Sequence, residues 1–202
     1  DQIETILHRI VRGTAVAGLS GMAFSRPLAD SVTLVRPLLN VRRRVIEQYV
    51  QVHGLSFRKD DANSDLRFTR NRIRHDLLPR LSEDYNPAIV DALLRLGRLA
   101  EEAQGVIAPL AEELAAQCVR PAEHQGVRID PWPLVVQPAY LVREVLVHAW
   151  RNQGWPERDM GLAEWEALGD ILQNGAAGRT FPGGIAAEWV AGQLELRPTL
   201  KS

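Results

Sequence analysis

Five arginines within the stretch Asp60 to Leu81 form the densest positive charge of the chain: Arg67, Arg70, Arg72, Arg74 and Arg80. Acids and turn formers precede them, Asp60, Asp61, Asn63, Ser64 and Asp65. The pattern reads as a loop running into a helix that starts near Arg67 and fades around Leu78 or Leu81, where Pro79 weakens the last turn. On a helical wheel Arg67, Arg70, Asn71 and Arg74 point nearly the same way as Leu77, Leu78 and Leu81, one or two turns later. Arginines at the edge of an apolar stripe need partners, because an unpaired buried charge is expensive. Two kinds of partner suit them: a carboxylate in the preceding loop, or a phosphate held in bidentate fashion. Arg72, His75 and Asp76 face away, toward solvent.

A second polar set opens the chain. DQIETILHRIVRG places Ile3, Ile6, Leu7, Ile10 and Val11 at helical spacing, with Gly13 as the cap. Asp1, Thr5, His8 and Arg12 fall on the opposite face, which periodicity alone reads as wet surface. The five histidines are scattered and show no i+3 or i+4 pair, which argues against a transition-metal site. No Ser/His/Asp or Cys/His set has recognisable local spacing, and the glycines of Thr14 to Asp30 fit no complete phosphate-binding loop. Cys118 is the single cysteine, so internal disulfides and cysteine metal clusters are excluded.

Stepping outward from these residues, 202 residues suit one large domain or two small ones. Composition is ordinary for a globular protein, no apolar run approaches a membrane span, and a cytosolic protein fits. The net charge of −1 hides an uneven distribution. Residues 36–80 hold eleven Arg or Lys against five Asp or Glu, and residues 81–125 hold three against eight. A basic segment on a nearly neutral chain suits a polyanion met on one face.

The supporting elements follow from pattern. Thr14 to Asp30 reads as a loop with one short helical turn, and Val32 to Val35 as a strand. Asn40 is placed to cap a helix from Val41 to His53 with Val45, Ile46, Tyr49 and Val50 buried, and Arg42, Arg43 and Arg44 in its first turn. Asn86-Pro87 starts a helix to about Ala103, which Gly105 and Pro109 break before a second piece ending near Cys118. Strand Gly126 to Asp130, helices Ala139 to Asn152 and Leu162 to Leu172, and a β tail turning at Gly183-Gly184 complete the reading.

Several stretches together resemble the bacterial tRNA(Ile)-lysidine synthetase family. DQIET, RGTAVAGLSG, VRPLL and GLSFRKDDANSDLRFTRNRIRHDLLP match its D-Q-x-E-T, R-G-x-G-x-x-G-L-x-G, R-P-L-L and D-x-x-N-x-x-x-x-x-R-N-x-x-R in order. The tail RTFPGGIAAEWVAGQLEL looks like the family's second domain. The resemblance implies a mostly α chain with small β elements. Residues 1–84 would be the distal part of an α/β PP-loop domain of the adenine nucleotide α-hydrolase-like kind, and 85–202 an α+β domain that binds tRNA and substrate.

It also implies chemistry. The family uses ATP and Mg²⁺ to adenylate C2 of the wobble cytidine in tRNA(Ile) with a CAU anticodon, and free lysine then displaces AMP. Asp1, Arg70 and Arg74 match the catalytic positions, with Asp1 also the metal ligand. Glu4, Thr5, Arg12 and Gly13 match positions beside the nucleotide. Asp60, Asn63, Asn71, Arg42 and Arg43 match or flank positions facing tRNA. A cytoplasmic enzyme, with a homodimer compatible, is implied. The family's S-G-G-x-D-S loop and H-x-x-D segment do not occur in the sequence, and Thr14-Ala15-Val16 lacks the usual glycine after Gly13. This chain alone is therefore expected to be inactive, and the alternative reading is a non-catalytic tRNA-binding module or inactive fragment.

Overall fold

The apolar spacing near the start of the chain yields helix α1 (Gln2–Arg12), closed by Gly13 at φ 76°. The structure, a computed structural model, describes residues 1–57 and 65–199, so Asp60 and Asn63 lie outside the described residues. It divides into two compact units, Asp1–Gln104 and Gly105–Ser202.

In the first unit α1 is followed by the short helix α2 (Val16–Leu19) and a hairpin of β1 (Ser25–Ala29) and β2 (Val32–Val35). β2 is the strand the sequence predicts. β1 was hidden by Pro27, a residue that argues against a strand. It is tolerated because the sheet has only two strands and the register slips between Pro27 and Ala29. Helix α3 (Arg43–Val52) departs from expectation in two ways. Arg42, not Asn40, holds the N-cap position, without a side-chain cap bond. Val45 and Tyr49 are exposed rather than buried, while Ile46 and Val50 are half-buried. Apolar spacing marks a face but does not say what covers it, and among the described residues little does.

The arginine-rich stretch is helical from Thr69 to Tyr85, longer than the sequence predicts. It begins as α4 (Thr69–Arg72), widens into a π turn at Ile73–Leu77, and tightens through α5 (Leu78–Arg80). It widens again at Leu81–Tyr85 and stops at Asn86, which is extended at φ −151°. Pro79 lacks an N–H and crowds the carbonyl four residues back. The π turn just before it absorbs that misfit, so the helix does not fade there. The small core of this unit consists of Ile6, Leu7, Ile73 and Leu93, flanked by Ile3, Leu77, Leu78, Leu81 and Ile89.

Helix α6 (Ile89–Cys118) runs 30 residues through both Gly105 and Pro109, where the sequence predicts a break. Pro109 loses its bond to the carbonyl four residues back. That carbonyl belongs to Gly105, whose backbone has the most latitude to tilt it aside. The division between the two units falls in this helix.

The second unit continues with β3 (Val119–Pro121), β4 (Val127–Ile129), α7 (Ala139–Asn152), α8 (Leu162–Asn174), β5 (Arg179–Phe181), β6 (Ile185–Val190) and β7 (Gln193–Pro198). The strands form one antiparallel sheet in the order β3-β4-β7-β6-β5. Val127 lies opposite Leu196 and Ile129 opposite Leu194, so alternate residues reach the same inner face. That face packs on Val145, Leu146, Trp150, Leu168 and Leu172 of α7 and α8. Trp150 is fully buried and meets Trp155 and Trp165 edge-on, with centroids at 5.1 and 5.5 Å. Its indole N–H donates to the Pro156 carbonyl at 3.0 Å, so the large apolar ring leaves no polar atom stranded. The chain is thus mostly helical with small sheets. Among the described residues no helix is long and apolar enough to cross a membrane.

Candidate functional site

Helical spacing makes the site. Asp1 and Glu4 lie one turn apart at the start of α1, and Arg70 and Arg74 lie one turn apart across α4 and the π turn. The two pairs meet. Arg74 donates from Nε to Glu4 Oε1 at 2.6 Å, and from Nη2 to Glu4 Oε2 and Asp1 Oδ1, both at 2.9 Å. Arg70 donates from Nε to Glu4 Oε2 at 2.9 Å, and its Nη2 lies 3.5 Å from Asp1 Oδ1. Among the described residues the carboxylate partners therefore come from α1 and its cap. That loop's Asp65 instead grips Arg67, with contacts of 2.7 to 3.1 Å. Glu4 carries the signal that could have revealed this. It sits beside the apolar stripe of α1 and is only 6% exposed, and a carboxylate so placed requires cations.

Burial pushes the Glu4 carboxyl up, but hydrogen bonds from Arg74 and Arg70 outweigh it and hold the group below its usual 4.5. The two arginines are not equivalent. The Arg74 side chain is 20% exposed and spends two nitrogens on carboxylates, whereas Arg70 is 49% exposed. Arg74 is an anchor, and Arg70 is the guanidinium presented outward. Two acids and two bases make the cluster neutral overall. Long-range attraction for a polyanion would then come from exposed arginines elsewhere in the same unit, such as Arg12, Arg26 and Arg44.

The other residues singled out by sequence fall in four groups. Asn71 is buried and donates to the Asp65 carbonyl at 2.8 Å, closing the loop onto the helix. Arg42 pairs with Asp91, and Arg43 pairs with Glu47 at 2.9 Å, surface bridges that hold little energy. Thr5 folds its hydroxyl back to the Asp1 carbonyl at 3.0 Å, while Arg12 and Gly13 lie exposed at the end of α1. Arg72, His75 and Asp76 are exposed, as their wheel position predicts.

Two residues with structural roles escaped the sequence reading. Gln2 and Arg9 reach from α1 to the glycine-bearing loop at residues 14–22, which contains the single helical turn α2. Gln2 accepts from the Met22 N–H at 2.8 Å and donates to the carbonyls of Met22 and Ser20 at 3.1 and 3.2 Å. Arg9 Nη1 donates to the carbonyls of Gly18 and Gly21 at 2.8 and 2.6 Å. Their seven-residue separation, two helical turns, was the available clue. Among the described residues no three His, Cys, Asp or Glu side chains gather as a metal site.

Residues 1–81 match the family model of the PP-loop domain. The chain is similar to tRNA(Ile)-lysidine synthases from several bacteria. That of Rhodopirellula baltica is 29% identical over 98% of the chain and 58% of the relative. Those of Geobacter sulfurreducens and Pseudomonas aeruginosa are 40% and 37% identical over 72% and 84% of the chain, and 30% and 39% of the relatives. The chain thus spans between 30% and 58% of the length of these three proteins.

Proposed function

We propose that this chain, which belongs to the tRNA(Ile)-lysidine synthase family through its PP-loop domain, acts in ATP-dependent ligation of lysine to the wobble cytidine of tRNA(Ile). The observation that carries the reading is the Asp1–Glu4–Arg70–Arg74 cluster, in which one guanidinium is locked and the other is held half in solvent by the same buried carboxylate. A fixed, outward guanidinium is the group that grips a phosphate without paying for its own ordering.

In this account the cytidine C2 oxygen attacks the α-phosphorus of ATP and pyrophosphate leaves. The lysine ε-amine then adds at C2, AMP departs, and the nitrogen loses a proton. Arg70 meets a phosphate of the tRNA, Arg74 holds Glu4 in place, and exposed Asp1 offers one carboxylate. Mg²⁺ is commonly held by one or two carboxylates with phosphate oxygens and water; Asp1 would supply one such carboxylate, and the ion would neutralise charge on the polyphosphate. Glu4, Thr5, Arg12 and Gly13 belong to the nucleotide side, and Arg42, Arg43 and Asn71, with Asp60 and Asn63, to the tRNA side. The partners are tRNA(Ile) with a CAU anticodon and free lysine, in the cytoplasm.

The test is chemical. In cells whose only candidate source of lysidine is the gene encoding this chain, mass spectrometry of tRNA(Ile) reads the wobble base. Lysidine there supports the proposal, and unmodified cytidine refutes it.

A further inference from the structure

We infer that Gln2 and Arg9 are positioning residues that lock the glycine-bearing loop 14–22 to the helix carrying Asp1 and Glu4, so that loop and ion cluster meet the tRNA as one rigid surface. The inference rests on the reading of this site as tRNA-facing and adds to it the device that presents the loop.

The geometry is specific. Gln2 makes a two-way contact with Met22, accepting its N–H and donating to its carbonyl, which is how one strand reads another. Arg9 places a single nitrogen between two loop carbonyls, Gly18 and Gly21. Gly21 is buried at φ 74°, and a Cβ there would come 2.7 Å from the Gln2 side-chain amide. Only glycine lets the loop lie this close to the clamp. The loop is held from a second side by α6, where a Cβ on Gly97 would come 2.8 Å from Ile6 Cδ1 and 3.4 Å from the Leu19 carbonyl.

Helix α1 therefore works on two flanks of its apolar stripe. One flank carries Gln2 and Arg9, which hold the loop, and the other carries Glu4, which holds Arg70 and Arg74. The loop and the arginines are spaced by a single rigid element. A loop ordered in advance binds without an ordering cost, so releasing it weakens binding even though no contacting side chain has been removed.

The experiment uses the full 202-residue chain with wild-type sequence, the double variant Q2A/R9L, and R9K. Amide hydrogen exchange is read at residues 18–22 and tRNA(Ile) affinity by titration. The proposal expects exchange at those amides to rise at least about tenfold in Q2A/R9L, with exchange in the core of α1 unchanged, and tRNA affinity to fall about tenfold. R9K, whose ammonium can still bridge both carbonyls, should restore most of both. Unchanged loop exchange in Q2A/R9L overturns the clamp. Faster loop exchange with unaltered affinity overturns the positioning role. A wild-type chain that binds no tRNA refutes the tRNA-facing reading and the positioning role with it, while the exchange data still judge the clamp.

Discussion

Glu4 is the residue on which the first unit turns. Its two oxygens receive three hydrogen bonds from two arginines, in a setting where an unpaired carboxylate is not tolerated. Replacing Glu4 with Gln leaves two guanidinium groups with a weaker acceptor and is expected to cost about 3 kcal/mol at neutral pH, the range for breaking a buried pair. The pH dependence has a definite sign. The folded-state pKa is lowered, so the stabilisation is complete above the ordinary value of 4.5 and is lost as pH falls through the lower folded value. The gap in stability between wild type and Glu4→Gln should therefore close as acid is added below that ordinary value. Urea unfolding followed by amide exchange in α1 measures it, and a gap that persists in acid contradicts the assignment. The arginines should separate as well. Arg74→Ala should destabilise this unit more than Arg70→Ala, because Arg74 is the more buried and makes the shorter contacts to both carboxylates. The sequence made the arginines legible by their place at the edge of the leucine stripe. The place of Glu4 beside the α1 stripe marks a carboxylate in need of cations, but Glu4 is 66 residues from Arg70 and 70 from Arg74, and only tertiary packing shows which cations meet it.

Elements were readable where local chemistry decided them. α7 matches its predicted limits from Ala139 to Asn152, and the Gly183-Gly184 turn joins β5 to β6 with φ of 84° and 73°. They were misread where a proline or glycine was taken as a stop. α6 and the Thr69–Tyr85 run both outlast theirs, because packing and π turns offset the lost bond. The β6–β7 turn holds a conflict that the sequence does not announce. Ala191 sits at φ 50° and is followed by Gly192 at 82°, a place where Asn or Gly is the usual first residue. Ala191→Gly should stabilise the second unit by about 1 kcal/mol despite the added chain entropy of glycine, and Ala191→Asn by a similar amount. Thermal unfolding followed by tryptophan fluorescence tests this, since all five tryptophans lie between residues 132 and 189. A lower midpoint for both variants would contradict it.

At the scale of the whole molecule, two units carry separate hydrophobic cores, and different probes report on each. Cys118 is 1% exposed in the second core, and burial pushes its thiol up to about 11. It should resist thiol reagents near neutral pH and react only as the second unit opens. Fast labelling of native protein would show that this core is looser than its packing indicates. The account's central claim concerns the first unit, that Arg70 is held outward to meet a tRNA phosphate. Its most direct test is tRNA(Ile) binding by wild type and Arg70→Gln, titrated from about 50 to 300 mM salt. The account predicts that wild-type affinity falls steeply with salt. It predicts that Arg70→Gln binds about tenfold more weakly at low salt, and that its log–log salt slope is shallower by about one. Equal affinities and equal slopes would mean that Arg70 touches no phosphate, and that the cluster serves only to join two helices.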